Sequence, residues 1–332
     1  MLKQFILSLI CITVALAAAA CHKVTPAELQ TQLKSANPQW EGEFTTGYYA
    51  KDVPVFEFSD GPTLNAIAIT GSGIQDFSPL RDVRLRIFCL RNSNLKSLSF
   101  LPELKWESDV VIELQKCTGL TDFSALKTLP LTIVSINHTP FSDTTLLGNK
   151  LVAVYLNETN VEKLNFSRPE IIEELSFAQK TGTPNADLKQ INKMNRLVSL
   201  SVKNRLNIND INLASFPYLE NLVFSHINQV KLTPPAPHVI NDLRLEDCKD
   251  VEIGEALNNK IIDRLVLMRS GDPAKILEKL SNTKINVLII KEAHVSNIEF
   301  LNRIKDLKLV RFQNCTGLPN DINLPFVEVV VE

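Results

Sequence analysis

With 332 residues, 45% of them apolar, the chain is long enough to bury a large core. Its formal charge of −2 lacks the basic excess that nucleic-acid binding needs. Charges of both signs are spread along the whole length, which excludes a long disordered tail.

The first twenty residues, 1–20, read as a signal peptide rather than as part of the fold. Lys3 gives a short positive start. The apolar-rich run from Phe5 to Ala17 holds 13 residues, fewer than the roughly 20 of a permanent membrane span. Ala18, Ala19 and Ala20 then place small residues before Cys21. Small residues followed by Cys resemble the bacterial lipobox. The resemblance implies that Cys21 is acylated, anchors the chain to a membrane and becomes the mature N-terminus. His22 in the next place, where Asp is absent, implies the outer membrane or periplasm. The same alanines suit an ordinary secretory peptidase, so free secretion stays open, as does an uncleaved apolar helix.

Residues 21–63 form an N-terminal segment. Thr25-Pro26-Ala27-Glu28 is a capping box with proline at the first helical position, which predicts a helix to about Ser35. Asn37-Pro38 ends it. Val53 to Phe58 is expected to be a strand covering the open N-terminal end of the core.

Residues 64–332 are periodic. A pattern apolar–x–x–apolar–x–apolar starts at Leu64, Leu85, Asp109, Leu131, Leu151, Ile172, Leu197, Leu219, Ile240, Ile262, Ile285 and Leu307. Spacings run from 20 to 25 residues, and Asp109 is the single polar residue among the 36 positions that the pattern calls apolar. A thirteenth, partial copy is expected to start at Val327. The alternation at the last two apolar positions is strand-like. Each segment is too short to bury its own apolar face. Stacked as a parallel sheet, the copies bury a continuous core, and each returns along the opposite side.

The ninth position of the copies holds Ser72, Ser93, Cys117, Thr139, Thr159, Lys180, Arg205, Ile227, Cys248, Ser270, Ala293 and Cys315. The whole pattern resembles the leucine-rich repeat, L-x-x-L-x-L-x-x-N/C-x-L. Phe77-Ser78-Pro79-Leu80 and Phe123-Ser124-Ala125-Leu126 resemble the second half of its 22-residue bacterial, internalin-like class. The resemblance implies an α/β repeat solenoid: a leucine-rich-repeat superhelix with a parallel β-sheet on the concave side and short helices and loops on the convex side. It also implies a ninth-position ladder of side chains turned inward onto backbone. Copies six to eight depart most, with Lys180, Arg205 and Ile227 in the ladder. Asp272-Pro273 and Thr183-Pro184 are expected to open short convex helices, through Leu280 and through Met194. Thr233 to His238, with three prolines, is expected to be extended. No polar cap is visible at Val327 to Val331, which exposes an edge to pairing.

Parallel strands stack about 4.8 Å apart. Cys117, Cys248 and Cys315 are then roughly 29 Å and 14 Å apart along the stack, beyond the roughly 7 Å of a disulfide. Each is expected to be a buried ladder thiol. Cys89, at a fifth position, is expected to be the exposed thiol of the concave face. His138 and His226 lie four copies, roughly 19 Å, apart and His294 falls in copy eleven, so no metal site, cofactor site or catalytic pair is expected, and the chain reads as a non-enzyme.

What remains is the concave face. Ile87, Val111 and Ile133, bordered by Tyr155, form an apolar strip on copies two to five. The alternative reading is a surface covered by the chain's own N-terminal segment. Asp242, Arg244, Glu246 and Arg264, with Glu220 and Arg269 nearby, form a mixed-charge patch on copies eight to ten. The alternative there is mutual ion pairing on a solvated face. Either is a candidate protein-binding site. The expected function is a protein-binding module, on the cell envelope or secreted, with a self-associating structural component as the alternative.

Overall fold

The computed structural model describes residues 24–46, 49–52, 55–57, 64–209, 211–232, 236–322 and 324–332. The signal peptide, Cys21, and Thr233 with the first two of its three following prolines lie outside the described residues. Among those described, no helix is long and apolar enough to cross a membrane.

Helix α1 (Pro26–Ala36) begins at Thr25, whose hydroxyl accepts from the Glu28 amide while the Glu28 carboxylate accepts from the Thr25 amide. This is the reciprocal capping box. Leu29 and Leu33 are its buried face. Asn37 closes the helix and ties it to the first repeat. Its amide donates to the carbonyls of Leu33 (3.0 Å) and Asp76 (2.7 Å), and its side-chain oxygen accepts from the amides of Gln75 and Asp76, both at 2.8 Å. Two short pairings follow. Strand β1 (Phe44–Thr46) lies antiparallel against the first repeat strand, and β2 (Tyr49–Asp52) with β3 (Val55–Glu57) forms a separate two-stranded sheet. The strand that covers the N-terminal edge is therefore 44–46. Of the strand expected at 53–58, the described residues 55–57 form a strand that pairs with β2 rather than with the repeat sheet. Gly42 permits the turn before β1, because a Cβ there would lie 1.8 Å from the Thr70 carbonyl oxygen.

Repeat strands follow one another across a single 15-stranded sheet. They are β4 (Ala66–Thr70), β5 (Arg84–Arg91), β6 (Lys105–Gln115), β7 (Leu131–Asn137), β8 (Ala153–Thr159), β9 (Glu174–Gln179), β10 (Ser199–Ile208), β11 (Asn221–Lys231), β12 (Val239–Glu246), β13 (Asp250–Glu252), β14 (Ile261–Met268), β15 (Lys284–Lys291), β16 (Leu309–Gln313) and β17 (Glu328–Val331). Apart from β1, every pairing in this sheet is parallel; β12 pairs with β14, and β13 lies alongside the far end of β11. Short 3₁₀ turns such as Ser78–Leu80, Ser124–Thr128 and Lys189–Lys193 run back along the other side, with two α-helical turns, α2 (Gly254–Leu257) and α3 (Pro273–Glu278). Asp272 caps α3, as its sequence predicts, by accepting from the Ala274 amide. The Thr183-Pro184 segment opens no α-helix. A 3₁₀ turn starts only at Lys189. The chain is a leucine-rich-repeat solenoid.

Third positions pair with third positions from one end of the stack to the other. Ala66 faces Ile87, Ile87 faces Val111, and the column continues through Ile133, Ala153, Glu174, Ser199, Asn221, Asp242, Arg264, Val287 and Leu309. Three local departures correct the sequence register. Strand β6 bulges: Leu85 pairs with Trp106 and Ile87 with Val111, so residues 107–109 are extra, and Val110, wholly buried, takes the inward place expected of Asp109. In copy six Gln179, not Lys180, pairs with Thr159 and turns inward, accepting from the Ala186 amide and donating to the Thr183 carbonyl; Lys180 is exposed. The last strand pairs Glu328 with Leu309, which starts the thirteenth copy at Phe326 rather than Val327. Sliding a strand by one residue exchanges its two faces, and this register turns Val329 onto the core.

The ladder and the end of each strand are built together. Thr139 donates to the Asn137 carbonyl and accepts from the Cys117 amide, and Ser270 does the same between the Met268 carbonyl and the Cys248 amide. The thiols of Cys117, Cys248 and Cys315 donate to the carbonyls of Leu90, Phe224 and Ile290. Burial pushes the Cys117 and Cys248 thiols up to about 11. One residue earlier, at the eighth position, the backbone turns left-handed. Asn92, Lys116, His138, Glu158, Asn204, His226, Asp247, Arg269, Glu292 and Asn314 all have φ between 47° and 58°. A glycine, Gly71, holds this place only in the first copy.

Candidate protein-binding face

The sheet face that carries the third, fifth and seventh positions differs between its two halves. In copies one to four it is closed. Ile87 and Val111 are each 5% exposed and pack in a second apolar cluster with Ala66, Ala68 and Cys89, against which Ile133 is half-buried. Tyr155 is also 5% exposed, and its hydroxyl donates to the Glu174 carboxylate at 2.5 Å. The strip expected to be an open apolar surface is thus buried. Cys89, expected to be exposed, is buried completely. Burial pushes its thiol well above the usual range, and the carboxylate of Glu113 beside it adds to the rise. Glu113 is itself buried and accepts from Arg91 Nε at 2.7 Å. A buried carboxylate needs such a partner.

In copies nine and ten the same face is open and charged. Asp242 is the third residue position of copy nine, Arg244 the fifth, and Arg264 faces Asp242 directly from the next strand. The Asp242 side chain is 10% exposed, while those of Arg244 and Arg264 are 41% and 45% exposed. Arg244 Nε donates to Oδ2 at 2.6 Å and Arg264 Nε to Oδ1 at 2.7 Å. Burial alone would raise the Asp242 carboxyl. The hydrogen bonds from Arg264 and Arg244 outweigh it and hold the carboxyl below its ordinary value. Glu246, half-buried, follows on the same face between Ser225 and Met268.

The two flanking residues of this patch sit elsewhere. Glu220 accepts from the Asn241 amide at the strand-entry rim. Arg269, an eighth-position residue, lies on the opposite rim, where it bonds Asp247 through Nε and Nη2 and reaches Glu292. His226 Nε2 stands 3.3 Å from the same Asp247. Sequence columns alone also left unremarked an aliphatic stretch beyond Arg264. Val287, Ile289, Leu309 and Val330 are half-buried on the face; Val287 pairs with Leu309, and Ile289 and Val330 flank Arg311. The neighbours Val287 and Leu309 were legible in the third column, and Ile289 in the fifth.

Among the described residues no three His, Cys, Asp or Glu side chains gather in a way that could hold a metal ion.

No family model matches the chain, and no curated protein matches it. Among solved structures the chain is similar to an internalin from Listeria monocytogenes, with 20% sequence identity, a TM-score of 0.48, and coverage of 80% of this chain and 82% of that one. The solenoid itself is established by the strand register above, copy by copy.

Proposed function

We propose that the chain is a non-enzymatic protein-binding module of the bacterial cell envelope, engaging its partner through the concave sheet face at Asp242, Arg244, Glu246 and Arg264. The observation that carries this reading is the pair of half-exposed arginines held on one buried carboxylate. Arginine is favoured where interfaces concentrate their energy. Ile87, Val111, Ile133 and Tyr155 are secondary in this reading, because three of them are buried. A photoreactive residue placed at Val223, beside Arg244 on the face, should crosslink an envelope protein in living cells. The same residue at Lys127, exposed on the convex side, should not. Equal capture from both positions, or from neither, rejects the concave face.

The anchor belongs to the same reading. Cys21 carries the lipid, and the solenoid is held at the outer membrane. Metabolic labelling with a fatty acid should mark the wild type and leave Cys21→Ser unmarked and released. Unlabelled wild type found in the medium supports the freely secreted form. Self-association is favoured by one observation: on and beside β17, Phe326 is fully exposed and Val331 is 59% exposed. Concentration-dependent size in sedimentation would support it.

A further inference from the structure

The chemistry of the open face is more specific than a mixed-charge patch. A surface ion pair ordinarily joins one cation to one anion. Here two guanidiniums on adjacent strands share one carboxylate, each through Nε alone and each on a different oxygen. Among the described residues, the η nitrogens of Arg244 and Arg264 make no hydrogen bond. The carboxylate therefore fixes two half-exposed cations side by side and leaves one net positive charge between them. A guanidinium whose Nε is already held has less freedom to lose when its η nitrogens meet an anion. Glu246 lies on the same face beyond Arg244, so an incoming anion is directed to the Asp242–Arg264 end.

The register sets what stands next to that end. Val287 faces Arg264, Leu309 faces Val287, and Ile289 lies between Val266 and Arg311. These side chains are half-buried, unlike the closed cluster at Ile87 and Val111 on the same face. Arg264 and Leu309 are two strands apart, or roughly 10 Å at about 4.8 Å per strand. An extended chain covers that distance in about three residues.

We propose that this face takes an extended, acidic segment of a partner protein: a carboxylate on the η nitrogens of Arg244 and Arg264, and an aliphatic or aromatic side chain two or three residues away on Val287, Ile289 and Leu309. The inference rests on the protein-binding reading of this site and adds the partner's chemistry. Charge complementarity selects the carboxylate, and the aliphatic shelf at fixed spacing selects the apolar side chain.

The test is selection of a displayed random peptide library on the full chain, followed by titration of the best synthetic peptide. Enriched peptides should carry Asp or Glu two or three residues from an aliphatic or aromatic residue. The triple variant D242N/R244Q/R264Q removes the shared carboxylate and both guanidinium charges, and it should weaken binding at least 10-fold. Ile289→Glu, which leaves the arginines intact, should weaken it by a similar factor. Circular dichroism spectra of the native variants superimposing on wild type would assign both losses to the surface. The inference is overturned if no peptide is enriched, if enriched peptides lack an acid, or if the triple variant binds equally well. It is also overturned if inorganic phosphate competes at the peptide's own concentration, which marks a simple anion site. A dimer abolished by the triple variant makes a second copy the occupant and overturns it too. An envelope protein crosslinked at Val223 whose capture survives the triple variant leaves the protein-binding reading standing while this inference falls.

Discussion

Copies one to four and copies nine to twelve share one backbone plan and use the same sheet face in opposite ways. In the first group Ile87, Cys89 and Val111 are buried, and even the charged Glu113 is enclosed and matched to Arg91. In the second group Arg244 and Arg264 stand half-exposed around a buried Asp242, beside aliphatic side chains that remain half-open. The parallel strand register is alike in both. The contrast teaches that repeat geometry decides where a side chain points but not whether anything lies over it. One solenoid can thus keep a second core at one end and an open surface at the other.

The sharpest way to break the comparison is to place the same charge at equivalent third positions. Val111→Asp buries an unpaired carboxylate and should cost about 4 kcal/mol. Val287→Asp, on the open half, should cost less than about 1 kcal/mol. Urea unfolding of the two variants reads the difference directly, and equal losses would remove the distinction between the halves.

Thiol chemistry tests the same contrast. Among the described residues Cys315 is the partly exposed cysteine, while Cys89, Cys117 and Cys248 are buried. With their thiols pushed to about 11, Cys117 and Cys248 should react at least about 100-fold more slowly than an ordinary thiol at neutral pH. Residue-resolved alkylation of the native chain should therefore label Cys315 first and Cys89 among the last. Rapid labelling of Cys89 would mean that the first half of the face is open.

Most of the fold was legible because the inward positions are chemically uniform. Leu, Ile and Val recur at fixed offsets, and the third-position column they define survives pairing by pairing. What was not legible depended on residues that act through shape or neighbours. The bulge at 107–109 hides behind a pattern that merely showed one polar residue at Asp109. Gln179 does the work of a ladder serine with a longer side chain, so a search for Ser, Thr, Asn or Cys passes over it. The slip at Val327 arose because Val327, Val329, Val330 and Val331 are all apolar, and such a run fits both faces. At the site, the column positions of Asp242, Arg244 and Arg264 were readable. Their shared carboxylate was not, because it depends on side-chain reach across two strands. Burial of Cys89 was unreadable for the same reason: the fifth position specifies a face, and occupancy above that face is a tertiary fact.

Smaller effects sharpen the picture of the open half. The Asp242 carboxyl is held below its ordinary value in the folded state. Its interactions therefore contribute stability above the unfolded pKa of about 3.9, and that contribution is lost as pH falls through the depressed folded value. Asp242→Asn should lower stability at pH 7 by about 1 kcal/mol, with the gap to wild type closing below about pH 4. A gap that persists at low pH would place the effect in packing rather than charge. Smallest of all, Lys116→Gly relieves a left-handed residue (φ 52°) and should raise stability by roughly 0.5–1 kcal/mol in thermal unfolding.

That left-handed column has a wider consequence. Its members are about one repeat apart in sequence but only about 4.8 Å apart along the stack. Lysine, histidine, glutamate, asparagine, aspartate and arginine already occupy it in different copies. The turn residue is tied by its own backbone, with the amides of Lys116, Arg269 and Glu292 donating to the carbonyls of Asn137, Lys291 and Gln313 on the next strand, whatever side chain stands in front. The rim is therefore a row of exchangeable display sites, on which a lineage could rewrite surface chemistry one residue per repeat while the core beneath keeps its sequence.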